Sequence, residues 1–452
     1  MKKVITYGTF DLFHKGHFRL LERAKSLGDY LIVGVTSENY DANRGKLNVS
    51  QSLIDRIENV RRSGLADEII VEEFEGQKVV DIQRLGVAVF AIGSDWIGKF
   101  DYLNDFCEVV YLERTKGVSS TQLRNESNKM LNIGVVGAGR IASRFCFEAK
   151  FVSGVEVVGV FGRSNHKLKE FVEENELAFY SVDYNEFLQH VDAVYIATPH
   201  LLHYEFAKAA ILKGKHVLCE KPIVLEESLY DELTLLADEF GVVFMESIKT
   251  AYCPAFIRLV SVARSGAIGD IKSVRATFTK LMIPDGSYRE FQKEQAGGSF
   301  TELASYPLLA AVKLLGTNVI GESFFILNEP DLDVDIFSKF FLKYEGAIFS
   351  GEVGLGVKSE GDLVISGTKG YIYVPSPWWK TERFELRFED FNLNRSVFSK
   401  FEGDGLRYEL AAFLRTIKSG AVTPFELSRL ESRRIVQIIE SFRSGAKTQQ
   451  IL

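Results

Sequence analysis

A chain of 452 residues has room for about three domains, and its composition, 46% apolar and 25% charged, excludes a disordered or fibrous protein. Lys and Arg number 54 against 61 Asp and Glu, a net charge of −7 spread evenly along the chain without the basic footprint of a nucleic-acid binder. No uncharged apolar run approaches the roughly 20 residues that cross a bilayer, so no membrane partner is expected. The basic N-terminus is broken by Asp11, His14 and Lys15 and does not read as a signal peptide. Cys107, Cys146, Cys219 and Cys253 form no CxxC pair and no zinc spacing. Each sits in an apolar run and reads as a buried thiol of a reduced, cytoplasmic protein.

From the first residue, short apolar runs alternate with helical patterns. Lys3–Tyr7, Tyr30–Val35, Glu68–Val71, Val87–Ile92 and Cys107–Leu112 read as strands, and Gly16–Leu27 and Gln51–Ser63 as helices. The alternation predicts an α/β fold, a doubly wound parallel sheet whose ligands lie beyond the carboxyl ends of its strands. Gly8, Thr9, Phe10 and Asp11 follow the first strand, and His14, Gly16 and His17 fall at the start of the next helix. Three apart on one helical turn, the two histidines aim at one point. A metal pair would need a third ligand of matching spacing, and none is present; a capping or core pair is the bland alternative. Phosphate binding fits better, because two imidazoles, backbone N–H groups and a helix N-terminus together suit a polyphosphate in a developing transition state.

At these residues the chain resembles the glycerol-3-phosphate cytidylyltransferase group of the HxGH nucleotidyltransferases. HxGH alone leaves adenylyl transfer open. The choice narrows with Arg44-Gly45-Lys46, GSDWIGKFDYL (93–103) and ERTKGVSST (113–121), which follow the family's order within a domain of residues 1–126. The resemblance implies a Rossmann-like nucleotidyltransferase fold and a single displacement. The phosphate of a polyol phosphate, such as glycerol phosphate, attacks the α-phosphorus of CTP and yields a CDP-alcohol and pyrophosphate. By the family's pattern His14 and His17 hold the CTP phosphates, and Lys46 and Arg114 add positive charge. Asp95 and Trp96 lie near nucleotide or acceptor, and Ser119, Ser120 and Thr121 cap a helix or bind phosphate. Asp11 either positions the metal-bound triphosphate or stabilises its turn. Mg²⁺ is expected to arrive with CTP, and no resident metal site is expected.

After a polar hinge, RNESNKM (124–130), a second strand–turn–helix begins. Gly137-Ala138-Gly139-Arg140-Ile141-Ala142 matches GxGxxG/A between an apolar strand and a helical pattern, the context of a dinucleotide-binding Rossmann domain, here residues 127–250. The strand at 155–161 ends in Gly162-Arg163-Ser164, where an NAD site places a carboxylate. With that carboxylate missing, Arg163 and Ser164 suit a 2′-phosphate and favour NADP over NAD. The other reading is a solvated turn arginine with the cofactor held elsewhere. Further strands end in Thr198-Pro199, ahead of His203, and in Glu220-Lys221-Pro222.

These segments resemble the glucose–fructose oxidoreductase / inositol dehydrogenase / MocA (Gfo/Idh/MocA) family, whose hallmark is the strand-end Glu-Lys-Pro. The resemblance covers about residues 131–445. It implies a catalytic Lys221 and cofactor contacts from Gly137, Gly139, Arg140, Ile141, Ala142, Arg163, Ser164, Thr198, Pro199, His203, Glu220 and Pro222. The family's second signature, commonly Asp and His on one helix after a Gly-Gly turn, matches residues 296–316. Glu302 stands at the Asp position and Tyr306 at the His position, four apart and on one helix face. Tyr at that position resembles the dihydrodiol dehydrogenase-like members, in which it is the proton donor; a nearby Lys is expected to lower its pKa. The alternative is a core aromatic. Beyond Lys272, period-two segments predict an open antiparallel sheet in a C-terminal α+β domain, residues 251–452, ending in helices over Leu406–Ile417 and Leu427–Phe442 that can pack back on the Rossmann domain. One face of such a sheet commonly carries subunit contacts, so a homo-oligomer is expected.

The joint expectation is a bifunctional enzyme. One half transfers cytidylyl from CTP to a polyol phosphate, and the other reduces a small carbonyl sugar or sugar phosphate with NAD(P)H, together serving bacterial capsule or teichoic-acid-like polymer synthesis. Two alternatives stand beside it: a non-catalytic NADP(H)-binding regulator or scaffold fused to an active transferase, and two enzymes acting in unconnected steps.

Overall fold

In a computed structural model, residues 1–37, 40, 41, 49, 51–113, 130–329, 331–424 and 426–451 are described. The expected sites at Lys46, Arg114, Ser119, Ser120 and Thr121, and all but Met130 of the hinge at 124–130, lie outside them. Two compact units result, one formed within residues 1–130 together with Phe151–Gly154, and one formed by Leu131–Lys150 and the residues from Val155 on. No helix among the described residues is long and apolar enough to cross a membrane.

The first unit is a parallel sheet of β1 (Lys3–Gly8), β2 (Tyr30–Thr36), β3 (Glu68–Glu72), β4 (Val89–Gly93) and β5 (Glu108–Leu112) in the order β3-β2-β1-β4-β5. Helices α1 (Lys15–Lys25), α2 (Leu53–Arg62) and α3 (Gln77–Leu85) connect the strands. Val4, Ile5, Leu31, Ile32 and Val33 are completely buried, as strands covered on both faces require. The strand order reverses at β1, so the crevice between the carboxyl ends of β1 and β4 is the unit's switch point.

The second unit starts with β6 (Leu131–Val136), α4 (Arg140–Ala149), β7 (Val155–Phe161), α5 (Asn165–Asn175), β8 (Phe179–Ser181), α6 (Tyr184–Gln189) and β9 (Ala193–Ile196). It continues through α7 (His203–Leu212), β10 (His216–Glu220), α8 (Glu227–Glu239) and β11 (Phe244–Ser247), forming a parallel sheet in the order β11-β10-β9-β6-β7-β8. After α9 (Pro254–Arg264) comes a second sheet, entered by β12 (Ile271–Thr279) and flanked by the short α10 (Ser299–Leu303) and α11 (Ser305–Leu315). Its other strands are β13 (Gly321–Asn328), β14 (Asp335–Tyr344), β15 (Ala347–Gly354), β16 (Leu363–Gly367), β17 (Tyr371–Val374), β18 (Arg383–Arg387) and β19 (Arg395–Phe398). Helices α12 (Leu406–Ser419) and α13 (Arg429–Arg443) and strand β20 (Thr448–Gln450) complete the chain.

This sheet is mixed, which corrects the expected all-antiparallel arrangement: β12 pairs with β15, and β13 with β20, in parallel. The helical segment after β12 lets the chain return in the same direction, a crossover that a hairpin cannot make. The last helices pack on the first sheet's helices. Arg407 on α12 forms a bidentate pair with Glu148 on α4 at 2.7 and 2.9 Å, and Arg433 on α13 grips Asp231 on α8 at 2.7 and 2.8 Å.

Candidate functional site

In the first unit the β1–α1 loop is held in an unusual shape. Phe10 and Leu12 have φ of 53° and 47°, left-handed values that cost non-glycine residues about 1–3 kcal/mol each. The Phe10 ring packs over Gly8, where a Cβ would meet it at 3.0 Å. Buried hydrogen bonds offset the strain. Arg56 on α2, completely buried, donates to the carbonyls of Thr9 and Thr36 at 2.9 and 2.8 Å and pairs with Asp41 at 3.3 Å. Asp41 also accepts from Thr9 and Thr36, at 3.0 and 2.6 Å. Gln51 closes the loop: its N–H donates to Asp11 at 3.0 Å, and its side chain accepts from the Leu12 N–H at 2.7 Å. Asp11 thereby accepts a hydrogen bond that ties the loop to Gln51.

The loop delivers the histidines. His14 is the N-cap of α1, and its Nδ1 accepts from the Gly16 N–H at 3.0 Å. A neutral ring then carries its proton on Nε2, which becomes a donor. The His14 and His17 rings stack at 3.9 Å, and the edge of Phe10 meets His17 at 5.4 Å. Asp95 and Trp96 follow β4 in a short turn, Ser94–Trp96, across the switch-point crevice from the histidine loop. Among the described residues no cluster of three or more His, Cys, Asp or Glu forms a metal site. The pairing residues Arg56, Asp41 and Gln51 escaped sequence reasoning, because Arg and Asp at such separations carry no periodic signal.

In the second unit Gly137 has φ of 104°, and a Cβ there would stand 2.8 Å from the Ala197 carbonyl. Only glycine lets this turn press against the end of β9. Gly139 differs: the N-cap of α4, it has open space where its Cβ would be, room for a pyrophosphate at the helix N-terminus. Ala142 is completely buried against the sheet. Arg163 and Ser164 are exposed at the end of β7, and Ser164 caps α5 without using its side chain. Both side chains are uncommitted among the described residues, so the corner fits a cofactor with a 2′-phosphate.

His203 is corrected. Expected as a cofactor contact, it is completely buried, with Nε2 2.9 Å from the Thr198 carbonyl and Nδ1 2.9 Å from that of Pro222. Burial pushes its pKa down to about 4, so a neutral ring donates to one carbonyl at a time. Its task is to pin the Thr198-Pro199 turn to the Glu-Lys-Pro corner.

At that corner Glu220 accepts from the Tyr195 hydroxyl at 2.6 Å, and Lys221 Nζ donates to the Glu302 carbonyl at 2.8 Å. Glu302 and Tyr306, expected on one helix, lie on α10 and α11, which meet at Ala304 without leaving helical geometry: its φ is −64° and ψ −23°, its N–H donates to the Phe300 carbonyl at 2.8 Å, and its carbonyl accepts from the Leu308 N–H at 2.9 Å. The Glu302 carboxylate lies 2.7 Å from Arg289 and 3.7 Å from His200. Burial, with Lys221 beside it, holds the His200 imidazole far below its usual range and neutral. Arg289 reaches inward because Gly297 lacks a Cβ, which would strike the carbonyls of Glu290, Arg289 and Gln292 at 2.7–2.8 Å. The Gly-Gly turn was legible in sequence; the arginine it admits was not.

Tyr306 requires a second correction. Its pKa was expected to fall under the influence of lysine. Burial, then Glu220 and Glu409, instead push the hydroxyl well above its usual range. Tyr306 therefore stays protonated, a donor rather than a phenolate. Its ring meets Phe278 edge-on at 4.8 Å, and Phe278 stacks on Trp379 at 3.9 Å.

Known proteins bear on both units. The Cytidylyltransferase-like family matches residues 5–126, the oxidoreductase family with an NAD-binding Rossmann fold matches 131–247, and the GFO/IDH/MocA C-terminal domain matches 256–373. Glycerol-3-phosphate cytidylyltransferase of Bacillus spizizenii is 50% identical over 126 residues, 28% of this chain and 97% of that protein. Trans-1,2-dihydrobenzene-1,2-diol dehydrogenase of Bos taurus is 28% identical over 325 residues, 70% of this chain and 96% of that protein. The NADP(+)-dependent scyllo-inositol 2-dehydrogenase of Bacillus subtilis is 28% identical over 336 residues, with the same coverage of 70% and 96%. In fold, a 3-ketoreductase from Actinomadura kijaniata, solved with NADP and TDP-benzene, superposes with a TM-score of 0.64 at 24% identity, covering 72% of this chain and all of that one.

Proposed function

The chain belongs to the cytidylyltransferase-like family over residues 5–126 and to the Gfo/Idh/MocA oxidoreductases from residue 131 on, and from that premise we propose that its two enzymes serve one short route to a CDP-polyol. The protein is a cytidylyltransferase fused to an NAD(P)-dependent oxidoreductase. In our reading the second unit reduces a small carbonyl sugar or sugar phosphate with NADPH. The first couples the resulting polyol phosphate to CTP, for an envelope polymer of the capsule or teichoic-acid kind. The observation that carries this reading is that each unit holds its own set of reactive groups: the stacked His14–His17 pair in one, and Lys221 bound to the Glu302 carbonyl in the other.

In the transferase step an oxygen of the acceptor's phosphate attacks the α-phosphorus of Mg²⁺-bound CTP. The new P–O–P bond forms as the bond to the β-phosphate breaks and pyrophosphate leaves. The protein needs only to position these groups and neutralise charge. His14 Nε2–H and His17 donate to the phosphate oxygens that gain charge, on a loop already held rigid by Arg56 and Asp41. Lys46 and Arg114 add positive charge at the same phosphates.

In the redox step Gly137, Gly139 and the N-terminus of α4 receive the cofactor's pyrophosphate, with Arg163 and Ser164 on its 2′-phosphate. NADPH, when bound, supplies a hydride for the carbonyl carbon. Lys221 polarises the carbonyl oxygen, and the neutral Tyr306 hydroxyl donates the proton that makes it an alcohol. Arg289 and Glu302 hold the helix end that presents its carbonyl to Lys221.

Paired variants test the assignment. His17→Ala should abolish CTP-dependent pyrophosphate release and leave NADPH affinity unchanged. Lys221→Ala should abolish NADPH oxidation and leave pyrophosphate release intact. Wild-type transfer in His17→Ala, or NADPH binding without oxidation across a panel of C3–C6 ketoses and their phosphates, would overturn the corresponding half.

A further inference from the structure

The carboxyl edge of the six-stranded sheet carries a cation that the chemistry at Lys221 does not use. Lys249 follows β11 by two residues, and β11 pairs with β10 so that Ser247 stands beside Glu220. Lys249 therefore lies on the same edge as Lys221, one strand over. The other cations of this neighbourhood are committed. Lys221 donates to the Glu302 carbonyl at 2.8 Å, Arg289 meets Glu302 at 2.7 Å, and Lys380 and Arg144 share Asp404 at 3.0 and 3.5 Å. The Lys249 ammonium is half-buried and has neither a hydrogen bond nor an ion pair among the described residues.

The surrounding carboxyls do not serve it. Asp404 is already divided between two cations. Glu220 accepts from Tyr195 at 2.6 Å and from the Lys221 N–H at 3.3 Å. Glu409 is completely buried and accepts from Ser247 at 2.6 Å; burial and the neighbouring Glu220 push its carboxyl strongly toward the neutral form. Burial and then Lys380 push the Lys249 pKa down, against the opposing pull of Asp404, Glu409 and Glu220, none of which pairs with its ammonium directly. A ligand that brings an anion removes this cost.

The cofactor's phosphates are not that anion. Their turns follow β6 and β7, which stand three and four strands from β11. At about 4.8 Å between strands this is roughly 14 and 19 Å. The substrate side is nearer. Thr250 Oγ1 donates to the Trp379 carbonyl at 2.7 Å, tying the Lys249 turn to the Phe278–Trp379–Tyr306 aromatic group. An apolar wall for the carbon face of a sugar and a cation for its charged end meet at the same edge.

We propose that Lys249 is the anion-binding residue of the oxidoreductase substrate site and that the carbonyl substrate carries a phosphate monoester. This rests on the reading of the second unit as a reductase. Hydride and proton add across the carbonyl, and the ester is untouched, so the product is a polyol phosphate. That is the class of acceptor the first unit consumes, with no phosphorylation step between the two reactions.

The test uses the full-length protein saturated with CTP and NADP⁺, so that the nucleotide anion sites are filled. Calorimetric titration with inorganic phosphate should give binding in wild type and in Lys249→Arg, at least about tenfold weaker in Lys249→Met. Turnover with NADPH is compared on matched pairs, dihydroxyacetone with its phosphate and ribulose with ribulose 5-phosphate. Wild type should prefer the phosphorylated member in kcat/KM by about 30-fold or more. In Lys249→Met that ratio should collapse toward unity through KM. Unchanged NADP⁺ affinity reports that the variant is folded, and the wild-type preference stands as a test without it. Equal phosphate binding by wild type and Lys249→Met, or a wild-type preference for the unphosphorylated sugar, overturns the proposal. Lys249-dependent phosphate binding with neither sugar reduced keeps the anion site and overturns the reductase reading instead.

Discussion

Arg56 decides whether the HxGH loop keeps its shape. Completely buried, it pairs with an equally buried Asp41 and holds two backbone carbonyls of the loop region. Removing one partner of a buried pair leaves the other charge stranded, typically at about 3–5 kcal/mol. Arg56→Leu should therefore lower the stability of the first unit by that amount in urea unfolding and cut pyrophosphate release, while NADPH affinity holds. Two buried acids make the second unit sensitive to pH. Burial pushes Glu246 up to about 7 and Asp335 up to about 6. Below those values each is protonated when folded, and its contribution is full below its unfolded value, about pH 4.3 for Glu and about 3.9 for Asp. It is lost as pH rises through the folded values, to about 3 kcal/mol for Glu246. Glu246→Gln, neutral at every pH, should show a shallower fall in urea midpoint between pH 5 and 7.5 than wild type. An equal slope would exclude Glu246 as a cause.

At the scale of elements, the turns do the selecting. The Gly137 turn between β6 and α4 leaves no space for a Cβ, and its φ of 104° strains any side chain. Gly137→Ala should weaken NADPH binding at least about tenfold in fluorescence titration, because both the clash and the strain fall on the pyrophosphate turn. Pyrophosphate release should be unaffected. The Gly-x-Gly turn and the Glu-Lys-Pro corner were legible in the sequence because each is a local pattern attached to a strand end. The junction at Ala304 between α10 and α11 was legible as well, because Pro307 has no N–H to donate to the Leu303 carbonyl and one helical bond is missing there. The parallel β12–β15 pair was hidden, since period-two alternation marks a strand without stating its partner or direction.

For the whole molecule, the two sets of reactive groups lie in separate units. Mixing His17→Ala with Lys221→Ala should therefore restore CDP-polyol formation from a carbonyl phosphate, CTP, Mg²⁺ and NADPH, read by mass spectrometry. Failure of the mixture, with each variant retaining its other activity, would mean that the intermediate must stay on one chain. The sequence alone determined the two α/β frameworks, the families, and the motif residues His14, His17, Gly137 and Lys221, because these depend on local periodicity and on short patterns next to strands. Tertiary structure decided what surrounds them. It made His203 a pin rather than a ligand contact, raised the Tyr306 pKa where a fall was expected, and gathered Arg56 with Asp41, and Arg289 with Glu302. It also left the Lys249 ammonium without a direct hydrogen bond or ion pair among the described residues, beside the catalytic corner. Burial and charge pairing are properties of the packed chain, and residues far apart in sequence acquire them only when the fold removes their water.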